Sequence, residues 1–151
     1  MNDLLSSKNA VFKTYVFYAV VLIIKMFLMS LLTGFTRYKK KTFISPEDVG
    51  LATQGKVKYD DPDVERIRRA HLNDVENIPI FLITGILFVL SNPNEFLAMT
   101  LIRLYTAFRI LHTIVYTMII IRQPARALMF SCGLIINLTM CVLIVIKFFH
   151  V

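Results

Sequence analysis

Arg109-Ile110-Leu111-His112-Thr113-Ile114-Val115-Tyr116 decides how this chain is read. An arginine, a histidine and a tyrosine stand in a segment otherwise apolar enough to lie in a lipid bilayer. Spacings of three and four residues place Arg109, His112 and Tyr116 on one helical face, with Tyr105 one turn earlier. A charge at membrane depth costs about 3 kcal/mol on insertion scales, so a helix that carries one turns it toward a protein-lined cavity.

The chain around this stretch is of the same kind. Its 151 residues are 56% hydrophobic, with a mean hydropathy of +0.64. That is too apolar for a soluble domain of this size and too short for two substantial domains. One membrane domain over residues 1–151 is expected. The formal net charge of +7 fits basic cytosolic loops and anionic partners. Nucleic acid is not expected as a partner, because no base-stacking aromatics are interleaved with the loop cations.

Four apolar stretches predict an all-α subunit of four membrane spans, at about residues 11–36, 66–90, 96–121 and 125–149. The second stretch has only 13 apolar-rich residues, 78–90. At ~1.5 Å per residue they cover about 20 Å of a ~30 Å hydrocarbon core. The helix must therefore extend backwards through the polar residues 69–77, a face that survives only against protein or water. The first stretch carries Lys25 and no small-residue cleavage site, so it reads as a retained span.

Helix starts are legible in the connections. Ser45-Pro46-Glu47-Asp48 has a capping serine, proline at the first helical position and acids in the first turn, which predicts a short helix in the first loop. Asp60-Asp61-Pro62-Asp63 predicts the start of the long second helix for the same reasons. Ser91-Asn92-Pro93-Asn94 reads as a tight turn. Pro124 can occupy the first turn of the fourth span.

Lysine and arginine gather in the first loop, from Arg37 through Lys39, Lys40 and Lys41 to Arg68 and Arg69, and again at Arg122 and Arg126. The opposite side carries only Lys8, Lys13 and Lys147. The positive-inside rule then puts loops one and three in the cytosol and both termini on the other side.

A second polar face lies on the second span, where Arg69, Asn73 and Glu76 follow i, i+4, i+7 spacing with Arg68 and His71 beside them. Span four opens with Arg126 and span one ends with Arg37. Arginines gathered in one half of the membrane repel unless an anion or acidic residues compensate. An anion-binding cavity between helices is the expected site. Arginine suits two-pronged carboxylate recognition, while Glu76 and Asn73 suit an amino or amide group. Tyr116 or an arginine suits stabilisation of a thiolate, the nucleophilic form of a thiol.

Other chemistries find little support. His71, His112 and His150 lack ligand spacing, so no metal is expected. Cys132 and Cys141 are separated by about 13 Å of helical rise, too far for a disulfide within one helix. No nucleophile elbow, Walker loop or dinucleotide fingerprint appears.

The string Val64-Glu65-Arg66-Ile67-Arg68-Arg69-Ala70-His71-Leu72-Asn73-Asp74-Val75-Glu76-Asn77 resembles the MAPEG family, the membrane-associated proteins of eicosanoid and glutathione metabolism. Lys25-Met26, Ser45-Pro46-Glu47-Asp48, the opening stretch at 109–116 and Gln123-Pro124-Ala125-Arg126-Ala127 extend the resemblance through all four spans. It implies a homotrimer with glutathione bound between neighbours near the cytosol. Glutathione contacts would fall on Arg37, Arg68, Arg69, His71, Asn73, Glu76 and Tyr116, with Arg126 as the thiolate stabiliser. The implied reaction is attack of glutathione thiolate on hydrophobic electrophiles, a detoxification chemistry, with reduction of lipid hydroperoxides beside it. The implied membranes are the endoplasmic reticulum and the mitochondrial outer membrane.

Within the family the resemblance is nearer to the glutathione transferase branch. The prostaglandin synthase branch has an arginine where this chain has Leu72 and a serine where it has Ala127. Mammalian transferases of this branch carry a cysteine after the acidic pair, through which thiol modification activates them; Val49 stands there. Three rivals are carried: a prostaglandin-E-synthase-like isomerase, a non-catalytic lipid-binding adaptor, and a small ion or proton conduit.

Overall fold

The computed structural model describes residues 4–149, so His150 lies outside the described residues. Four long helices account for most of the chain. Helix α1 spans Ala10–Lys40; the Asn9 side chain caps its start by accepting from the Phe12 N–H at 2.9 Å. Arg37, Lys39 and Lys40 stand in its last turn, where cations meet the negative end of the helix dipole. Lys41 closes the helix in the left-handed conformation, with φ of 54°.

A small parallel pairing organises the first loop. Strand β1, Thr42–Phe43, pairs with β2, Lys56–Val57, and Thr42 and Phe43 are buried. Between them lies a 3₁₀ turn over Pro46–Leu51. Its position and first-turn acids agree with the sequence expectation. The cap does not: Ser45 sits at the N-cap position, yet its side chain makes no capping hydrogen bond.

Helix α2, Pro62–Leu90, begins as expected at Asp61, whose carboxylate accepts from the Asp63 and Val64 N–H groups. It runs unbroken for 29 residues, carrying the polar segment and the apolar half in one element despite Pro79. At ~1.5 Å per residue that is about 43 Å. Residues 91–94 form the tight turn. Asn92 takes a φ of 51°, and Asn94 caps α3 by accepting from the Leu97 N–H at 3.1 Å.

Helix α3, Glu95–Thr113, stops well before Ile121, where the apolar stretch ends. A π turn over Ile114–Met118 follows, then irregular chain up to α4, Ala125–Phe149. β-Branched residues are dense here, at Thr113, Ile114, Val115, Thr117 and 119–121, although α1 and α4 run unbroken through comparable runs. The Thr117 hydroxyl donates to the Thr113 carbonyl at 2.8 Å, as the Thr33, Thr36 and Thr139 hydroxyls do to carbonyls one turn earlier within α1 and α4. Pro124 precedes α4, and its carbonyl accepts the Leu128 N–H.

The helices close into a ring in which α1 packs on α2 and α3, and α4 packs on both α2 and α3. Leu22, Ile78, Phe81, Phe88, Ile102 and Met140 fill the interior. The Phe81 and Tyr105 rings stack, with centroids 3.9 Å apart, and the Tyr105 hydroxyl donates to the Asn77 carbonyl at 2.9 Å. Tyr15 lies against Gly85 and donates to the Leu82 carbonyl. The outside of the bundle is apolar too, with Phe17, Phe27, Leu31, Ile83 and Ile135 exposed. All four helices, the third counted through the π turn to Met118, are long and apolar enough to cross a membrane.

Candidate functional site

Asp74 is the centre of the polar interior. It is fully buried on α2, on the same helical stripe as Ile67, Ala70, Ile78 and Phe81. Arg109 of α3 donates to it through Nη2 at 2.6 Å, and to the Asn73 side-chain oxygen at 2.8 Å. The Lys25 ammonium of α1 pairs with the other carboxylate oxygen. Three helices thus meet on one carboxylate. The face predicted from the opening stretch is real: Tyr105, Arg109 and His112 all point inward and are buried. Arg109 holds the bundle together.

One helical turn nearer the π turn, the chemistry changes. His112, Tyr116, Gln123, Arg126, Ala127 and Phe130 line a pocket of about 310 Å³ between the end of α3 and the start of α4. The Arg126 guanidinium carbon lies 4.6 Å from the Tyr116 ring centroid, a cation–π contact. Tyr116 in turn leans on His112, with ring centroids 5.6 Å apart. Arg126 Nε and His112 Nδ1 are both buried and have no hydrogen-bond partner among the described residues. The Gln123 side chain accepts from the Ala127 N–H at 3.3 Å, fixing the first turn of α4 beside the pocket. A guanidinium and a helix N-terminus both favour a negative group there.

The remaining sequence-predicted residues lie elsewhere in the subunit. Arg68 is exposed and is engaged by Glu65 one turn earlier, with Nη2 to Oε2 at 2.8 Å. Arg69 and Glu76 are exposed on the outer face of α2. His71 lines a separate groove of about 400 Å³ against Ile23, Met26, Phe27 and Ser30 of α1. Arg37 is half-buried in the last turn of α1. The half-buried Asn73 accepts from Arg109 through its side-chain oxygen, so it joins this face of α2 to the interior cluster. Among the described residues no hydrogen bond or ion pair links Arg37, Arg68, Arg69, His71, Asn73 or Glu76 to Tyr116 or Arg126. Within one chain the expected residues thus fall in two places, an α3–α4 pocket and an α1–α2 cluster, with Tyr116 packed between them against Met29, Ile67 and Ala70.

Asp74 and its pairing with Lys25 were not singled out by the sequence reading. The available signal was a carboxylate on an otherwise apolar stripe, facing a lone lysine in the middle of span one. Outside the bundle, at the mouth of α2, burial alone would raise the Asp61 carboxyl. The two backbone N–H donors and the nearby Lys58 ammonium overcome this and hold it below the ordinary carboxylate value. Among the described residues no group of three or more His, Cys, Asp or Glu is gathered as a metal site would require.

Four apolar helices with a charged interior and an apolar exterior define an integral membrane protein. The chain belongs to the MAPEG family, whose sequence profile matches residues 15–146. It is 43% identical to microsomal glutathione S-transferase 1 of Sus scrofa over 137 residues, 88% of each chain. It is 44% identical to the Homo sapiens protein of the same name over 136 residues, 87% of each. Prostaglandin E synthase of Bos taurus is 37% identical over 115 residues, covering 75% of this chain and 73% of that one.

Proposed function

We propose that the protein is a membrane-bound glutathione transferase, joining glutathione thiolate to hydrophobic electrophiles and reducing lipid hydroperoxides. The observation that carries this reading is Arg126. Its guanidinium rests on Tyr116, its Nε has no partner among the described residues, and it stands at the N-terminus of α4. A free thiol titrates near 8.5, and an arginine beside a helix N-terminus lowers that value by one or more units. Glutathione would lose its thiol proton to solvent, and the thiolate would remain against Arg126. The sulfur attacks the electrophilic carbon, a C–S bond forms, and the leaving group departs with its electron pair. The apolar exterior brings lipid-soluble electrophiles to the same depth. The names of the porcine and human relatives support the choice of co-substrate.

The division of the site has an explanation under this reading. Arg69 and Glu76 face outward from α2, where a neighbouring copy in a homotrimer would bring its own α4 pocket against them. Arg37, Arg68, His71 and Asn73 would then bind the glutathione carboxylates and amides from one subunit. Tyr116 and Arg126 of the next would hold the sulfur. The basic first loop argues for a cytosolic site, and membership of the family supports the endoplasmic reticulum and the mitochondrial outer membrane as its location. Against the isomerase reading, Leu72 is exposed beside Arg68 and Arg69, and Ala127 lines the pocket. Neither supplies the polar group of the prostaglandin branch.

The deciding experiment is conjugation of glutathione to chlorodinitrobenzene by detergent-purified protein, wild type beside Arg126→Ala. Conjugation by the wild type and a large loss in the variant are expected. Folded, glutathione-bound protein with neither conjugation nor peroxidase activity rejects the transferase reading. Equal rates in the two proteins reject the role of Arg126 alone.

A further inference from the structure

We infer that the groove between α1 and α3 holds a membrane-resident long-chain carboxylic acid whose carboxylate pairs with Lys25. The first observation is a charge count. Lys25 and Arg109 bring two positive charges into the interior, and Asp74 supplies one negative charge between them. All three are buried or nearly so, with side-chain exposures of 11%, 1% and 0% in that order. The cluster therefore sets two basic groups against one carboxylate in the bundle interior, an arrangement that favours a second anion there. An anion delivered to Lys25 would bring the cluster to neutrality.

The second observation is the shape of the approach to Lys25. A groove of about 260 Å³ runs between the two helices, walled by Leu28, Leu32, Ile110, Ile114 and Met118. Among the described residues Lys25 is its only charged lining residue. An ammonium has three donors, and Asp74 occupies one of those of Lys25. An apolar channel ending on a cation with free donors matches an alkyl chain ending in a carboxylate. Thr113 also lines the groove, but its hydroxyl donates to the Arg109 carbonyl, so a hydrated inorganic anion finds little to bind along these walls. Ile114 and Met118 border the groove from one side of the π turn, while Tyr116 faces Arg126 from the other. The groove is thus separate from the α3–α4 pocket and does not depend on the reaction proposed for it.

The test compares oleic acid with oleyl alcohol, which shares the chain but lacks the charge. Both are titrated into the purified protein in phosphatidylcholine nanodiscs at neutral pH. The wild type is expected to bind the acid at least tenfold more tightly than the alcohol. Lys25→Met keeps the Arg109–Asp74 pair as a neutral unit and is expected to bring the two affinities within twofold. Equal binding by the wild type, or a preference that survives Lys25→Met, overturns the assignment. If Lys25→Met does not fold, Leu28→Trp decides: it fills the groove without altering a charge and is expected to weaken oleate at least tenfold. Unchanged oleate binding to that variant overturns the assignment. Saturating glutathione is expected to leave oleate bound; displacement would place the acid in the Tyr116 pocket and equally overturn it.

Discussion

Arg109 on α3 reaches Asp74 on α2 at 2.6 Å, with the two side chains 1% and 0% exposed. The same carboxylate receives Lys25 from α1, so one residue ties three of the four helices. Removing one partner of a buried pair leaves an uncompensated charge, at a cost of about 3–5 kcal/mol.

The three members should therefore differ in a defined order. Asp74→Ala strands two cations and is expected to lower the unfolding temperature most. Arg109→Leu leaves a Lys25–Asp74 pair and should cost less, and Lys25→Met should cost least. Thermal unfolding in one detergent, followed by helical circular dichroism, orders them; a Lys25→Met loss equal to that of Asp74→Ala would contradict the shared-carboxylate arrangement.

The Tyr116 ring, more than its hydroxyl, positions Arg126. Tyr116→Phe keeps the cation–π face and should hold the conjugation rate within about threefold. Tyr116→Leu removes a contact of about 0.5–2 kcal/mol and should cost up to ~30-fold. Arg126→Ala should cost about 10²-fold or more, the scale of losing one preorganised charge stabiliser. Initial rates at saturating glutathione separate the three. A Tyr116→Phe loss matching that of Arg126→Ala would instead make the phenol the thiolate stabiliser.

Asp61 gives the loop end of α2 a pH dependence. Its carboxyl is held below the ordinary value, so the ionised cap is favoured by folding. That contribution is fully present above about pH 4. It is lost as pH falls through the lower folded-state value. Asp61→Ala should cost about 1 kcal/mol at neutral pH. Hydrogen exchange of the Asp63 and Val64 amides should be faster in the variant at pH 7 and converge with wild type in acid.

Gly85 allows α1 and α2 to approach through Tyr15. A Cβ at Gly85 would stand 2.6 Å from the Tyr15 ring, closer than packed atoms permit. Gly85→Ala should lower stability by about 1–3 kcal/mol, read by the same thermal unfolding. Tyr15→Leu in the Gly85→Ala background should recover part of the loss. No recovery would mean that the glycine serves the helix backbone and not this contact.

Thiol alkylation should not accelerate the enzyme through the first loop. Val49 occupies the 3₁₀ turn, and the two cysteines lie in α4, half-buried. Glutathione conjugation after N-ethylmaleimide treatment and removal of the reagent should stay within twofold of the untreated rate. A several-fold increase mapped to this loop would contradict the expectation.

Much of the architecture was written in local chemistry. Asp61-Pro62 starts α2 and Asn94 starts α3 because cap and proline act on their own neighbours. Four apolar runs could bury their backbones only as helices in lipid. The same locality explains the failures. Hydropathy could not see that α3 ends at Thr113 and gives way to a π turn inside the apolar stretch. It could not see that Ser45 leaves its cap unmade.

The sequence by itself determined that charge lies inside an apolar bundle, on which helical faces, and in what order along the chain. Periodicity is a property of one helix, and Tyr105, Arg109 and His112 share a face of α3 in any packing, while Tyr116 lies in the π turn beyond it. Only the tertiary structure decided what those charges meet. It set Arg109 on Asp74 and Asn73, gave Lys25 to the same carboxylate, and laid Arg126 across Tyr116. It also left Arg69 and Glu76 facing outward. Ion pairs between helices depend on rotation and depth about each axis, which interior packing fixes and no single stretch of sequence carries.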